Sequence, residues 1–442
     1  MADGTPDRPG AGGPRWGIAP ALFSAAVAGL AGALAAVLFR RPEVLVLAVP
    51  LLGYVLYGLW TRPTEPPTMR AGVGAQTLYE GQQTSTEVTV EAAGAATAAV
   101  WQRASRWLVP DPPSGGRVFV LDHGRGRAEI GAGIARWGIH DVPGVRLVLT
   151  SSLGAWRWSM ITSAGSRIKA LPLRADFSAS NVVPRPAGMI GQHASRRPGD
   201  NGELSDVREF RIGDRLRRIN WRVSSRTGRL HVNSTWSERD TEVQLVLDSV
   251  VDVGWSEGVG GLASSLDTGV RAASAIAEHY LHAGDRVSVI DLGARGRDVR
   301  AGSGRHHLRR INDTLVSASA DRLTLFSANR HLPPGSLMIV LSPLLADRVI
   351  GHLVHGLQSG HAAVIIDTMP DGLTDPGWYT PVMRADDPAK LALAWRLRLV
   401  EREVTVAAIR DLGVPVVRWK GPGTLDEVLR DVSRPAPRLV GR

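Results

Sequence analysis

Val243 to Leu247 reads VQLVL and runs directly into Asp248. Apolar residues stand almost without interruption there, with no alternation, which is the pattern of a strand buried on both faces. The residues beyond it have helical spacing, with Val270, Ala273, Ala277, Tyr280 and Leu281 on one face. The rhythm then repeats: Arg286 to Asp291 (RVSVID), a helix over His307 to Val316, Leu337 to Leu341 (LMIVL), and a helix over Leu345 to Leu357. Ala362 to Asp367 (AAVIID), a long helix over Pro388 to Leu412, and Pro415 to Trp419 (PVVRW) complete it. Apolar strands alternating with helices predict an α/β domain over 241–432, its mostly parallel sheet covered on both faces. Residues 433–442 are expected to be a tail.

Toward the N-terminus the period changes. Thr86 to Val90 (TEVTV) alternates polar and apolar residues, as a half-buried strand does. Arg117 to Leu121, Val145 to Thr150 and Ile168 to Leu173 are similar, and Gly, Pro, Asp and Ser turns separate them. Short strands spaced by turns predict a β-sandwich-like domain over 61–175, entered through the stiff PTEPP linker at Pro63 to Pro67. Further upstream, Ile18 to Phe39 carries no charge, and Val44 to Trp60 is a second apolar run. A helix of roughly 20 apolar residues spans a bilayer core. Residues 18–60 are therefore expected to form a transmembrane hairpin, with 1–17 a disordered tail. A cleaved signal peptide would have a shorter apolar stretch after a basic start, whereas this start carries Asp3 and Asp7. Trp16, Tyr57 and Trp60 stand near the run ends, where amphipathic rings favour the interface. The tails carry Arg8, Arg15, Arg62 and Arg70 against Arg40 and Arg41 in the turn. The positive-inside rule thus leans toward a cytoplasmic soluble body on a multi-pass membrane protein.

The absence of Cys excludes disulfides, thiolate metal sites and thiol nucleophiles. The net charge of +10, almost all of it from Arg, suits an anionic membrane surface as readily as nucleic acid. No Walker A sequence and no zinc spacing occurs. His306, His307, His352 and His355 are expected on the solvated surface, and Gly302-Ser303-Gly304 as a plain turn.

Between the two domains, residues 176–240 form an Arg-rich joining segment. Its core, Glu203 to Asn233, interleaves arginines with Glu203, Asp206, Glu209 and Asp214. Arg and carboxylate groups at such density form ion pairs, and the mixed charge argues against a nucleic-acid face. Ile219 and Trp221 are expected to anchor the segment in an adjacent core. Arg211, Gly213, Asp214, Arg218, Ile219, Trp221 and Arg226, followed by the strand Leu230 to Val232, resemble the family named domain of unknown function 58. Asn220 stands where many relatives have Asp. The order of parts is similar too: two spans, a β-sandwich-like region, this signature, then an α/β domain resembling von Willebrand factor A. The resemblance implies a partner, a MoxR-type AAA+ ATPase.

Von Willebrand A domains often hold Mg²⁺ on an Asp-x-Ser-x-Ser loop after the first strand. Here the corresponding residues are Asp248, Ser249, Val250, Val251 and Asp252, and Pro343 replaces a further Asp. Val and Pro offer no side-chain oxygen to a hard cation. A degenerate site without metal or cofactor is therefore expected. An unorthodox cation site on Asp248 and Asp252 is the alternative. The function expected is a membrane-tethered protein-binding scaffold rather than an enzyme. The partner-binding loops would lie at Asp248 to Trp255, Leu292 to Arg297 and Ser342 to Ala346, with Asp248, Ser249, Asp252 and Ser342 as candidate residues. A cell-envelope hydrolase or a nucleic-acid-binding protein are the alternatives.

Overall fold

Two apolar helices, Pro20–Leu38 and Leu45–Trp60, lead into a β-rich region and then a mixed α/β region. The computed structural model describes residues 16–161, 165–173, 204–210, 219–235, 242–293, 298–319, 336–359, 361–373 and 388–420. The chain divides into two units, Met1–Leu173 with Glu257–Gly260, and Arg174–Ser256 with Gly261–Arg442.

In the first unit, both helices are long and apolar enough to cross a membrane. They pack closely because small residues line the contact: a Cβ on Gly29 would stand 3.0 Å from Leu52, and one on Gly58 would stand 2.8 Å from Leu22. The first helix begins later than the apolar run suggests. Gly17–Ile18 is a short strand paired with Trp156 and Arg157, and Pro20, which lacks an N–H, takes the first helical position. Trp16 is buried within this unit. Its ring lies 5.7 Å from that of Trp158, and its Nε1 donates to the Glu65 carbonyl at 3.1 Å.

Two antiparallel sheets share one core in this unit. One contains Gln83–Glu91 and Arg125–Ile134; the other contains Ala95–Gln102, Val145–Ser151 and Trp156–Ile161. Val88, Val90 and Ile130 meet Ala98, Val100, Leu147 and Leu149 there, with Leu22 and Tyr54 from the helices packed into the same cluster. Trp156 Nε1 donates to the Gly58 carbonyl at 2.7 Å. That carbonyl is one of the last four of its helix, which have no intrahelical donor. Trp156→Phe is therefore expected to cost about 1–2 kcal/mol, read as a lower thermal midpoint of the full chain in detergent. An unchanged midpoint would show that solvent supplies the missing donor.

In the second unit the sheet has six strands: β1 (Glu242–Leu247), β2 (Arg286–Asp291), β3 (Val299–Gly302), β4 (Leu337–Ser342), β5 (Ala362–Asp367) and β6 (Val416–Arg418). Their order is β3-β2-β1-β4-β5-β6. All neighbours are parallel except β2 and β3, so the sheet is mixed. Helices α1 (Ser265–His282) and α2 (Arg305–Leu315) pack together, and α1 lies on β1, β2 and β4. Val349 and Leu353 of α3 (Asp347–Gln358) join Val406 and Ile409 of α4 (Pro388–Asp411) and cover Val246, Ile290, Val340 and Ile365. The chain leaves β1 for α1 and β4 for α3, on opposite faces. The adjacent carboxyl ends of β1 and β4 therefore form the switch point, where sheets of this kind bind ligands.

His307, expected on the surface, is buried, with Nε2 2.7 Å from the Val287 carbonyl. Its ring fills the space beside Gly302, where a Cβ would come within 2.6 Å of it.

Candidate functional site at the strand ends

A short oxygen-bearing side chain stands at the carboxyl end of each of the four inner strands: Asp248 just after β1, Asp291 closing β2, Ser342 closing β4 and Asp367 closing β5. Each accepts the backbone N–H two residues on. Asp248 Oδ1 accepts from Val250 at 3.1 Å, Asp291 Oδ1 from Gly293 at 3.0 Å, Ser342 Oγ from Leu344 at 2.8 Å and Asp367 Oδ1 from Met369 at 3.0 Å. The reason is local. A strand that stops leaves N–H groups without a ladder partner, and Asp and Ser are short enough to fold back on them.

A second layer of bonds ties neighbouring ends together. Ser342 Oγ donates to Asp248 Oδ2 at 2.5 Å, and Ser249 Oγ donates to Asp291 Oδ1. The second contact requires glycine at 293, because a Cβ there would lie 1.9 Å from Ser249 Oγ. Asp367 has a cationic partner: Arg402 of α4, 5% exposed, places Nη2 2.6 Å from its Oδ1. Arg402 Nε also donates to the Pro343 carbonyl at 2.7 Å. One turn earlier, Arg398 Nη2 donates to the Leu345 carbonyl at 2.5 Å. The two arginines clamp the loop after β4, in which Leu344 is held at φ +56, a left-handed conformation costly for a residue with a side chain.

Electrostatics follow from burial. Loss of water pushes the Asp248 carboxyl up to about 6, against the pull of its Ser342 and Val250 hydrogen bonds. Burial also raises Asp291, opposed by Ser249 and Gly293.

The structure brings Asp248 and Ser342 together, and Ser249 to Asp291. Asp252 goes elsewhere. Its Oδ1 accepts from the Leu266 N–H at 3.0 Å in the first turn of α1, while Ser264 and Asp267 form a capping box beside it. A carboxylate is well placed there, against the positive end of the helix dipole. Asp248 and Asp252 thus serve different elements. Among the described residues, no three His, Asp or Glu side chains gather as a metal-holding group.

In the joining segment, Arg211, Gly213, Asp214 and Arg218 lie outside the described residues. So do Ala294 to Arg297 of the expected loops. Asn220 caps the helix Trp221–Thr227 by accepting from the Val223 N–H at 3.2 Å. Asn and Asp cap about equally well, which accounts for the exchange at this position. Arg226 stands in the last turn of that helix, near the negative end of its dipole. Trp221 is not a core anchor: it is 68% exposed, on the first turn. Arg229 pairs with Glu209 at 3.0 Å between exposed side chains.

Sequence reading missed Asp291, Asp367, Arg398 and Arg402. A signal was present, since VQLVLD, RVSVID and AAVIID are three apolar runs each closing on Asp. Arg398 and Arg402 also share a helix face with Trp395 and Val406.

The family model described as "Protein of unknown function DUF58" matches residues 206–380. Uncharacterized proteins of Mycobacterium tuberculosis and Mycobacterium bovis are each 30% identical to the chain over 128 residues, 29% of its length. The chain covers 39% of the length of these relatives. The cupredoxin domain of amoB from Nitrosocaldus yellowstonii aligns at TM-score 0.17 and 8% identity, covering 28% of the chain and 98% of that domain. A C. elegans MSP family member, WR4, aligns at TM-score 0.15 and 10% identity, covering 23% and 96% respectively.

Proposed function

We propose, on the premise that residues 206–380 belong to the DUF58 family, that this protein is a membrane-tethered docking module. Its α/β unit offers the strand-end loops to a protein partner. The observation that carries this reading is the closure of the loops on themselves. Asp248, Asp291, Asp367 and Ser342 each serve an internal hydrogen bond, so the loops are stiff before any partner arrives. Preorganised loops lose little entropy on binding. Trp255, 45% exposed on the loop after β1, is the residue type that most often anchors a protein interface.

The tether is the hairpin. Leu30, Leu34, Val46 and Val49 are each 60% exposed or more, and apolar surface on both helices calls for apolar surroundings. The sheets of the first unit act as a β-sandwich spacer. The arginine distribution favours a cytoplasmic body. The partner that the family resemblance implies is a MoxR-type AAA+ ATPase, which would meet a von Willebrand A-like domain that binds without catalysing. Affinity purification of the tagged full chain in mild detergent is expected to recover that ATPase, and Trp255→Ala to reduce recovery at least about tenfold. Failure of the unaltered chain to retain any AAA+ ATPase would overturn the partnership. Equal recovery by the variant would move the docking face away from these loops.

A further inference from the structure

Helix α4 is apolar on two opposite faces. Trp395, Val406 and Ile409 are buried, together with Arg402. The other face carries Leu393, Leu397, Val400 and Val404, exposed by 68%, 59%, 61% and 66%. At the angular step of an α-helix these four fall on one narrow stripe. Their spacing of four, three and four is the seam of a coiled coil. Among the described residues, the buried face carries the packing of α4 on the sheet and the outer stripe stays exposed.

We infer that this stripe pairs with the same stripe of a second copy of the chain, in antiparallel orientation about a two-fold axis midway between Leu397 and Val400. Three observations select this occupant. The four-three-four spacing reads the same in both directions, as an isologous contact between identical helices requires. It sets Leu393 against the partner's Val404 and Leu397 against the partner's Val400. Arg396 and Glu403, both exposed, lie on one flank of the stripe, on opposite sides of its centre. The two-fold axis brings each Arg396 within two residues' rise, about 3 Å along the helix axis, of the other copy's Glu403, close enough for two ion pairs at the rim. Glu403 also contacts Arg402 Nη1 at 3.1 Å and remains 70% exposed. A parallel pairing would face Glu403 with Ala408 and draw instead on Glu401, already held by Arg398 at 2.9 Å. Antiparallel packing also opposes the two helix dipoles.

The chain has no native Cys, so cross-linking has a clean background. Full-length Leu393→Cys and Val404→Cys proteins, differently tagged and mixed in detergent, are expected to form a disulfide between the two tags on mild oxidation. Like-with-like cross-links should be weak, because equivalent residues of the stripe ends lie about 16 Å apart along an antiparallel pair. Light scattering, corrected for detergent, is expected to give the mass of two chains. Leu397→Glu should weaken the pair at least about 30-fold, the effect of removing a hot-spot side chain, with the helical circular dichroism unchanged because the residue faces solvent. Arg396→Glu should weaken the pair, and adding Glu403→Arg should restore it. A single-chain mass without cross-links, as a stripe seated on lipid would give, overturns the inference. So does a two-chain mass insensitive to Leu397→Glu, which would place the contact elsewhere. A Leu393→Cys self-cross-link overturns the antiparallel arrangement.

Discussion

Arg402→Ala is expected to lower the stability of the α/β unit by about 3–5 kcal/mol, the usual penalty for removing one partner of a buried ion pair. The substitution leaves the Asp367 carboxylate, 12% exposed at its side chain, without its counter-charge. It also removes the donor to the Pro343 carbonyl and unlocks the loop that holds Leu344 at positive φ. In a unit of this size the loss corresponds to a thermal midpoint about 10 °C lower. The charge is responsible more than the volume. Arg402→Met combined with Asp367→Asn should therefore recover more than half of the loss, since replacing both members of a buried pair is often close to neutral. If the double variant were as unstable as the single one, packing around the guanidinium stem would account for most of the loss.

Asp248→Asn is expected to do the reverse and stabilise the protein at neutral pH. The folded chain holds this carboxyl at about 6 against an ordinary 3.8. Between those two values the folded state keeps a proton that the unfolded chain has released. Stability therefore falls as pH rises from about 4 to about 6 and is level above that. Two units of displacement amount to about 3 kcal/mol. Asn carries no charge to desolvate, though it offers one acceptor fewer to Ser342 and Val250. We expect a gain of about 2 kcal/mol at pH 7.5 that vanishes near pH 4. The measurement is the thermal midpoint of both proteins across this range in detergent. A variant less stable at pH 7.5 would mean that the hydrogen bonds outweigh burial. The expected gain would identify Asp248 as a group retained at a cost in stability.

Much of the architecture was legible because its causes are local. Continuous apolar runs of four to eight residues specify buried strands, and a 3.6-residue period specifies the helices between them. VQLVL, LMIVL and AAVIID are strands in the structure, and the two charge-free runs are helices long and apolar enough to cross a membrane. The residues whose roles were misjudged are those whose neighbours lie far away in sequence. Trp16 is buried because Trp158, over a hundred positions later, offers its ring. Ile18 leaves the helix because Trp156 and Arg157 form a strand edge beside it.

By itself the sequence determined five of the six strands of the α/β sheet, the helices between them, and the Asp at the end of three strands, since turns and periods need only a few adjacent residues; β3 was not among them. Tertiary structure alone decided that Ser342 would close on Asp248 across 94 positions, that Arg402 would neutralise Asp367, and that α4 would keep an apolar stripe uncovered. Pairing between distant side chains depends on which strands become neighbours. The order β3-β2-β1-β4-β5-β6 is set by how all the apolar faces are buried at once, which no single stretch encodes.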